Sequence, residues 1–256
     1  MMNDRLNNPT ESAISVKGLS VSYERKLVLS NIYLDIEPGY LYGIIGPNGA
    51  GKSTLFKALL GLLQPNAGEI WIEGQAIKTQ RKKVVYVPQK SDVDWSFPAT
   101  VLDIVLMGRY PHKKLFKRLD KHDKALALAA LEEMGIESLY DRQIGELSGG
   151  QQQRVFLARA LCQKADIFLL DEPFVGVDMT TEEKIIGLLK KLASEGKTLL
   201  VVHHDLSTVR EYFDKVILLN QRLIACGDTE DTFTEAHIAQ TYGGQLPILH
   251  QTGMIG

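Results

Sequence analysis

Nine residues, "GPNGAGKST" from Gly46 to Thr54, are the part of the chain best equipped for chemistry. They match G-x-x-x-x-G-K-[ST], with Gly46, Gly51, Lys52 and Ser53 in register. In such a loop glycines let the backbone turn its N–H groups inward around a phosphate, so Pro47, Asn48, Gly49 and Ala50 are expected to line a cradle. Lys52 then reaches the β- and γ-phosphate oxygens, and the hydroxyl of Ser53, followed by Thr54, offers a ligand to Mg²⁺. A second "GKT" at Gly196, Lys197 and Thr198 lacks the earlier glycine, since Lys191 stands in its place, and a strand-like run follows it. It is read as a turn.

Two further stretches carry functional side chains. "DIFLLDEP" sets four apolar residues, Ile167 to Leu170, before Asp171 and Glu172. A short apolar run is a buried strand, and ligands of open α/β sheets bind beyond the carboxyl ends of strands. Asp171 is therefore expected to hold Mg²⁺, directly or through water, and Glu172 to polarise a water attacking the γ-phosphate. In "GELSGGQQQR", Ser148, Gly149 and Gly150 precede a helical run. Bare N–H groups and the positive helix end suit an anion, but the same residues also fit a capping box in which Ser148 and Gln151 satisfy each other's backbone. Both readings stand on these residues alone.

The elements that position these groups read as an α/β domain. "ISVKGLSVSYERKLVLSNIYLDIEPGYLYGIIG" reads as several strands and "STLFKALLGLL" as a helix. "EIWIEGQAI" and "KKVVYVPQ" are two more strands. Helical patterns follow in "VLDIVLMGR", "KALALAALEEMG" and the run after Gly150. Then "DIFLLDEP" and "TLLVVHHD" flank the helical "TEEKIIGLLKKLAS". Continuous apolar strands alternating with helices indicate a mainly parallel sheet buried on both faces. One domain is expected over residues 14–250, with a core from 14–90 and 160–250 and a helical subdomain at 91–159. Residues 1–13 are expected to be disordered.

Bulk properties are those of an ordinary globular protein. The 256 residues are 45% hydrophobic and 23% charged, with net charge −2 and pI near 6.3, which gives no footprint for nucleic acid. Cys162 and Cys226 are far apart and read as reduced core thiols. The start, "MMNDRLNNPTES", has no apolar core, so no signal peptide is expected, and no run approaches the roughly 18 apolar residues of a membrane span. The basic stretch "PHKKLFKRLDKHDK" reads as a solvated helix face in preference to a headgroup-binding patch, because Asp120 and Asp123 interrupt it.

The ordered set of the phosphate loop, "VPQ" at Gln89, "LSGGQ" at Leu147, "LLDEP" at Asp171 and "HD" at His204 resembles the nucleotide-binding subunit of an ABC transporter over nearly the whole chain. The resemblance implies a P-loop ATPase core with an N-terminal antiparallel β-subdomain and an inserted helical subdomain. It places an adenine-stacking ring at Tyr23, and a glutamine sensing Mg²⁺ and the attacking water at Gln89. The γ-phosphate switch falls on His204, and an aspartate of the dimer contact on Asp178. It also makes Leu147, Ser148, Gly149, Gly150 and Gln151 a signature that completes the ATP site of a second copy. ATP and Mg²⁺, held by Ser53, Gln89 and Asp171, are the implied ligands, with Lys52, Gln89, Glu172 and His204 serving hydrolysis.

"DVDWSFPATVLDIVLMGRY" and "DEPFVGVDMTTEE" resemble in particular the ATPases of bacterial manganese, iron and zinc importers. That implies membrane permease subunits, an extracytoplasmic metal-binding protein, and a place on the cytoplasmic face of the membrane. Trp95 and Phe97 are expected near the permease or packed in the helical lobe. The alternatives are a soluble ABC-type ATPase of cofactor assembly or nucleic-acid metabolism, and an importer of another cargo. A single phosphate loop and the absence of a heptad run or basic surface argue against a nucleic-acid partner.

Overall fold

The structure, a computed structural model, describes residues 12–24, 26–114 and 117–243. The first eleven residues of the segment expected to be disordered, and residues 244–250 of the expected domain, lie outside the described residues. Strands β1 (Ile14–Tyr23), β2 (Lys26–Ile36) and β3 (Leu41–Ile45) lead into helix α1 (Lys52–Leu59). Then come β4 (Ala67–Ile72), β5 (Gln75–Ala76), the short α2 (Ile77–Gln80) and β6 (Val84–Val87). Helices α3 (Val101–Leu106), α4 (Lys121–Glu133) and α5 (Gly149–Gln163) follow. The chain continues through β7 (Ile167–Asp171), α6 (Met179–Ser194), β8 (Thr198–Val202), α7 (Val209–Tyr212), β9 (Lys215–Asn220) and β10 (Arg222–Asp228). It closes with α8 (Thr229–Thr232) and α9 (Glu235–Tyr242). This is the expected α/β class.

Two compact units emerge, one formed by residues up to Arg81 together with those from Leu192, the other by Lys82–Lys191. In the first, β2, β1, β4 and β5 form an antiparallel sheet in that order. Its β4–β5 turn is Glu73-Gly74, both at positive φ, 47° and 70°, the combination a two-residue type I′ hairpin requires. The same unit sets β3 between β8 and β9, parallel to both, with β10 antiparallel at the edge of β9. Every residue of β3 and β8 is buried, as an all-apolar strand in a doubly covered sheet must be. The rejected "GKT" is the turn into β8. Gly196 sits at φ 87°, and the Lys197 N–H closes onto the Leu192 carbonyl at 3.0 Å, ending α6.

In the second unit β6 and β7 pair in parallel, Tyr86 opposite Leu169. Helices α3, α4 and α5 pack on one another, and α5 also lies against β6. The basic stretch is less solvated than its charge pattern implied. Asp123 is only 1% exposed and receives Arg109 Nε at 3.2 Å as well as the Lys113 ammonium. Arg109, just before the stretch, is itself buried and needs a counter-charge there, so Lys113 and Asp123 of an apparent surface run turn inward. Among the described residues no helix is long and apolar enough to cross a membrane.

Candidate functional site

The phosphate loop springs from the carboxyl end of β3. Gly51 caps α1 with φ 96° and provides no side-chain cap, so the first N–H groups of the helix remain for another acceptor. The Ala50 N–H closes a turn onto the Pro47 carbonyl at 3.1 Å, and the Gln221 N–H ties the loop to the end of β9 through the Ala50 carbonyl at 2.8 Å. Two glycines serve opposite needs. A Cβ on Gly46 would run into the Leu219 carbonyl oxygen, whereas a Cβ on Gly49 would meet no protein atom within 4 Å, but that residue sits at φ 79°. Lys52 is buried, its ammonium donating to the carbonyls of Gly46 at 2.7 Å and Pro47 at 3.0 Å. Ser53 beside it is exposed and Thr54 buried.

Strand β8 ends level with β3, and the His203 N–H donates to the Ile44 carbonyl at 3.2 Å. The two histidines beyond it differ. His203 is buried, packs on Phe213 with ring centroids 5.3 Å apart, and shares a 2.7 Å hydrogen bond between Nε2 and the Thr208 hydroxyl. Burial pushes its pKa down to about 4, so it is neutral at physiological pH. His204 is exposed at the same end of the sheet as the phosphate loop. Tyr23 ends β1 with 42% of its surface open, leaving ring area for stacking.

The second unit brings the carboxylates together with Gln89. Asp171, the last residue of β7, is 3% exposed and accepts from the Tyr86 hydroxyl at 3.4 Å. Burial and the neighbouring charge of Asp171 raise the Tyr86 phenol above its ordinary range, so it remains a donor. Glu172 occupies the left-handed region at φ 51°, a conformation costing about 1–3 kcal/mol and concentrated at functional sites. Its Oε2 accepts from Gln89 Nε2 at 2.8 Å.

At the start of α5 the capping box exists. Ser148 Oγ accepts from the Gln151 N–H at 3.4 Å and the Ser148 N–H donates to Gln151 Oε1 at 2.9 Å. Leu147 is buried just before it. The cap leaves Gly149 and Gly150 half-exposed, so capping and anion binding are compatible. The Lys90 ammonium lies against Gly149, and Asp178 receives both the N–H (2.9 Å) and the hydroxyl (2.8 Å) of Thr181 at the start of α6.

The residues fit nucleotide and Mg²⁺. The loop presents uncapped N–H groups with no room for a side chain at Gly46, and each unit offers hard oxygen donors, Ser53 in the first and Asp171 in the second. A family model described as ABC transporter matches residues 29–175, more than half of the chain. The chain belongs to the ABC transporter family. It is 54% identical over 237 residues to the zinc transport system ATP-binding protein TroB of Treponema pallidum, covering 93% of this chain and 89% of that one. It is 53% identical over 236 residues to the manganese transport system ATP-binding protein MntB of Bacillus subtilis, covering 92% and 94%. The subunit of a metal-chelate type ABC transporter solved in an inward-facing conformation superposes with a TM-score of 0.80 at 32% identity, covering 90% of this chain and 88% of that one.

In this ABC ATPase the two aromatic residues left between permease and lobe have different surroundings. Trp95 is half-buried, edge-on to Phe156 at 5.2 Å, with Nε1 donating to the Lys90 carbonyl at 2.9 Å. Phe97 is 54% exposed. Sequence reasoning assigned nothing to Tyr86, Lys90 or Arg159. Tyr86 carries a detectable signal only once β6 and β7 are known to be parallel neighbours, because its partner Leu169 and Asp171 then share its face. Among the described residues no cluster could hold a structural metal, and both cysteines are free.

Proposed function

We propose that this chain is the ATP-hydrolysing subunit of a transition-metal importer, with manganese as first cargo and zinc next. The carrying observation is the conjunction of a complete phosphate loop with relatives of more than half identity that are named for manganese and zinc transport systems. The chain works as a head-to-tail dimer on the cytoplasmic face of the membrane, bound to permease subunits and served by an extracytoplasmic metal-binding protein.

Each residue's task follows from its chemistry. Gly46 to Ser53 present backbone N–H groups to the phosphates, Lys52 adds a positive charge, and Tyr23 stacks on adenine. Ser53, Asp171 and Gln89 hold Mg²⁺, which neutralises charge on the phosphate oxygens. Glu172 orients and polarises the attacking water, and His204 contacts the γ-phosphate. Phosphoryl transfer needs positioning and charge neutralisation above all, and a buried Asp171 and tethered Glu172 provide positioning. Leu147 to Gln151, at and just before the start of α5, meet the γ-phosphate bound by the second copy, with Asp178 at the dimer contact. ATP thereby favours a closed dimer that ADP does not, and the permease follows this population shift.

The test is reconstitution with its membrane permease subunits in lipid vesicles. Mg²⁺-dependent ATP turnover and uptake of radioactive Mn²⁺ are expected. Absence of turnover even with the permease rejects the ATPase reading, and uptake of a different cargo in place of Mn²⁺ and Zn²⁺ rejects only the metal.

A further inference from the structure

The two adjacent carboxylates are held by different residues of one short segment. Glu172 is tethered by Gln89, beyond the end of β6, and Asp171 by Tyr86, within β6. The second contact follows from the sheet. Tyr86 stands opposite Leu169 in the parallel pair, and Leu169 and Asp171, two apart, point to the same face. A tyrosine side chain spans about two residues of strand, roughly 6.6 Å, so its hydroxyl arrives beside the Asp171 carboxylate, 3.4 Å from Oδ2.

Tyr86 is in turn fixed through its backbone. Its carbonyl accepts from Arg159 Nη2 of α5 at 2.9 Å, and the guanidinium lies over the Phe156 ring, 4.6 Å from its centroid. Trp95 packs edge-on against the same ring and binds the Lys90 carbonyl, one residue past Gln89. The donor facing Asp171 is therefore mounted on a strand pinned from α5.

We propose that Tyr86 is a positioning residue for the metal-holding carboxylate: its hydroxyl selects one orientation of Asp171 and so raises divalent-cation affinity without touching nucleotide. This rests on the assignment of Asp171 to the metal under the proposed function. The hydroxyl narrows the rotation of that carboxylate about its last torsion, so less of the cation's binding free energy goes into freezing it. The bond is long, so its contribution falls below the usual range for hydrogen bonds to charged groups and nearer that of neutral ones.

The experiment uses the full chain with ADP bound, so that no turnover intervenes, and Mn²⁺ as the probe, read by electron paramagnetic resonance of the free ion. For Tyr86→Phe the Mn²⁺ affinity falls about three- to tenfold, while affinity for a fluorescent adenine nucleotide in EDTA stays within twofold. In turnover assays the Mg²⁺ concentration for half-maximal rate rises by the same factor and kcat at saturating Mg²⁺ returns to the wild-type value. A structural role would instead lower metal-free nucleotide affinity and kcat together, which overturns the proposal, as does unchanged Mn²⁺ affinity. Tyr86→Trp, which keeps an aromatic filler but misplaces the donor, gives the same pattern and serves if the phenylalanine variant does not fold. Asp171→Asn separates the two levels. If it binds Mn²⁺ like wild type, the assignment of Asp171 falls. If it loses Mn²⁺ while Tyr86→Phe keeps it, only the role of Tyr86 falls.

Discussion

Gly46 and Gly49 differ in why they are glycine, and replacing each with alanine separates room from torsion. At Gly46 the added methyl meets the carbonyl oxygen of Leu219, a residue of β9 held between β3 and β10. That oxygen belongs to a paired strand and cannot swing aside, so the loop must move. Overpacking of this kind costs about 1–3 kcal/mol, and at roughly 2–4 °C per kcal/mol for a chain of this size Tm falls by about 2–12 °C. At Gly49 no protein atom lies within 4 Å of the new methyl, so the cost is only that of φ 79° for an L-residue, about 1–2 kcal/mol, partly offset by a stiffer unfolded chain. Function diverges further. A displaced loop loses at least one N–H bond to a phosphate, worth about 1.5–3 kcal/mol, so Gly46→Ala weakens ATP binding about tenfold or more. Gly49→Ala keeps ATP affinity within about threefold, on the argument that the loop path is unchanged. Calorimetric Tm and titration with a fluorescent ATP analogue measure both. Wild-type Tm and affinity for Gly46→Ala, or a larger binding defect for Gly49→Ala, refutes the reasoning.

Other perturbations test other parts of the site. Glu172→Gln binds ATP and accumulates closed dimers by light scattering, with turnover down at least a hundredfold; a monomer with normal turnover removes Glu172 from its role. Gly149→Asp puts a side chain where the Lys90 ammonium lies and a negative charge at the start of α5; ATP binding persists and turnover is abolished, and survival of both leaves Ser148 only a helix cap. Lys52→Ala lowers ATP affinity or turnover, and wild-type behaviour on both counts moves the phosphate site elsewhere. For His203 the folded pKa of about 4 lies below the ordinary 6.5, so the unfolded chain binds more protons between those values. Stability from this residue is complete above pH 6.5 and falls as pH drops toward 4, by roughly 3 kcal/mol in all. Urea titrations at pH 7 and pH 5 read the loss, and a His203→Gln variant with the same slope contradicts it.

Local chemistry made much of this readable in advance. The loop from Gly46 to Ser53 is legible because phosphate-binding backbone demands glycine at fixed positions, and the Ser148–Gln151 cap because its partners are three residues apart. What local pattern could not supply is pairing between distant segments. The Tyr86 contact depends on the register of β6 against β7, eighty residues away. Asp123 looked like one charge in a solvated run, yet it is buried because Arg109, fourteen residues earlier, needs it. The adjacent histidines are indistinguishable as letters. Packing of Tyr212 and Phe213 against the end of β8 encloses His203, while His204 lies open.

The strand that carries the phosphate loop has an unusual history during synthesis. Every residue of β3 is buried, and both of its partners, β8 and β9, are encoded from Thr198 onward. Roughly 150 residues must therefore leave the ribosome before β3 has anything to pair with, a wait of about 8–30 s at ordinary elongation rates. For that interval "LYGII" is an apolar segment without its native neighbours. The Lys82–Lys191 unit, contiguous in sequence, is finished first. A nascent chain that ends before Thr198 therefore lacks both neighbours of β3, and the phosphate loop gains the sheet that supports it only with the strands from Thr198 onward.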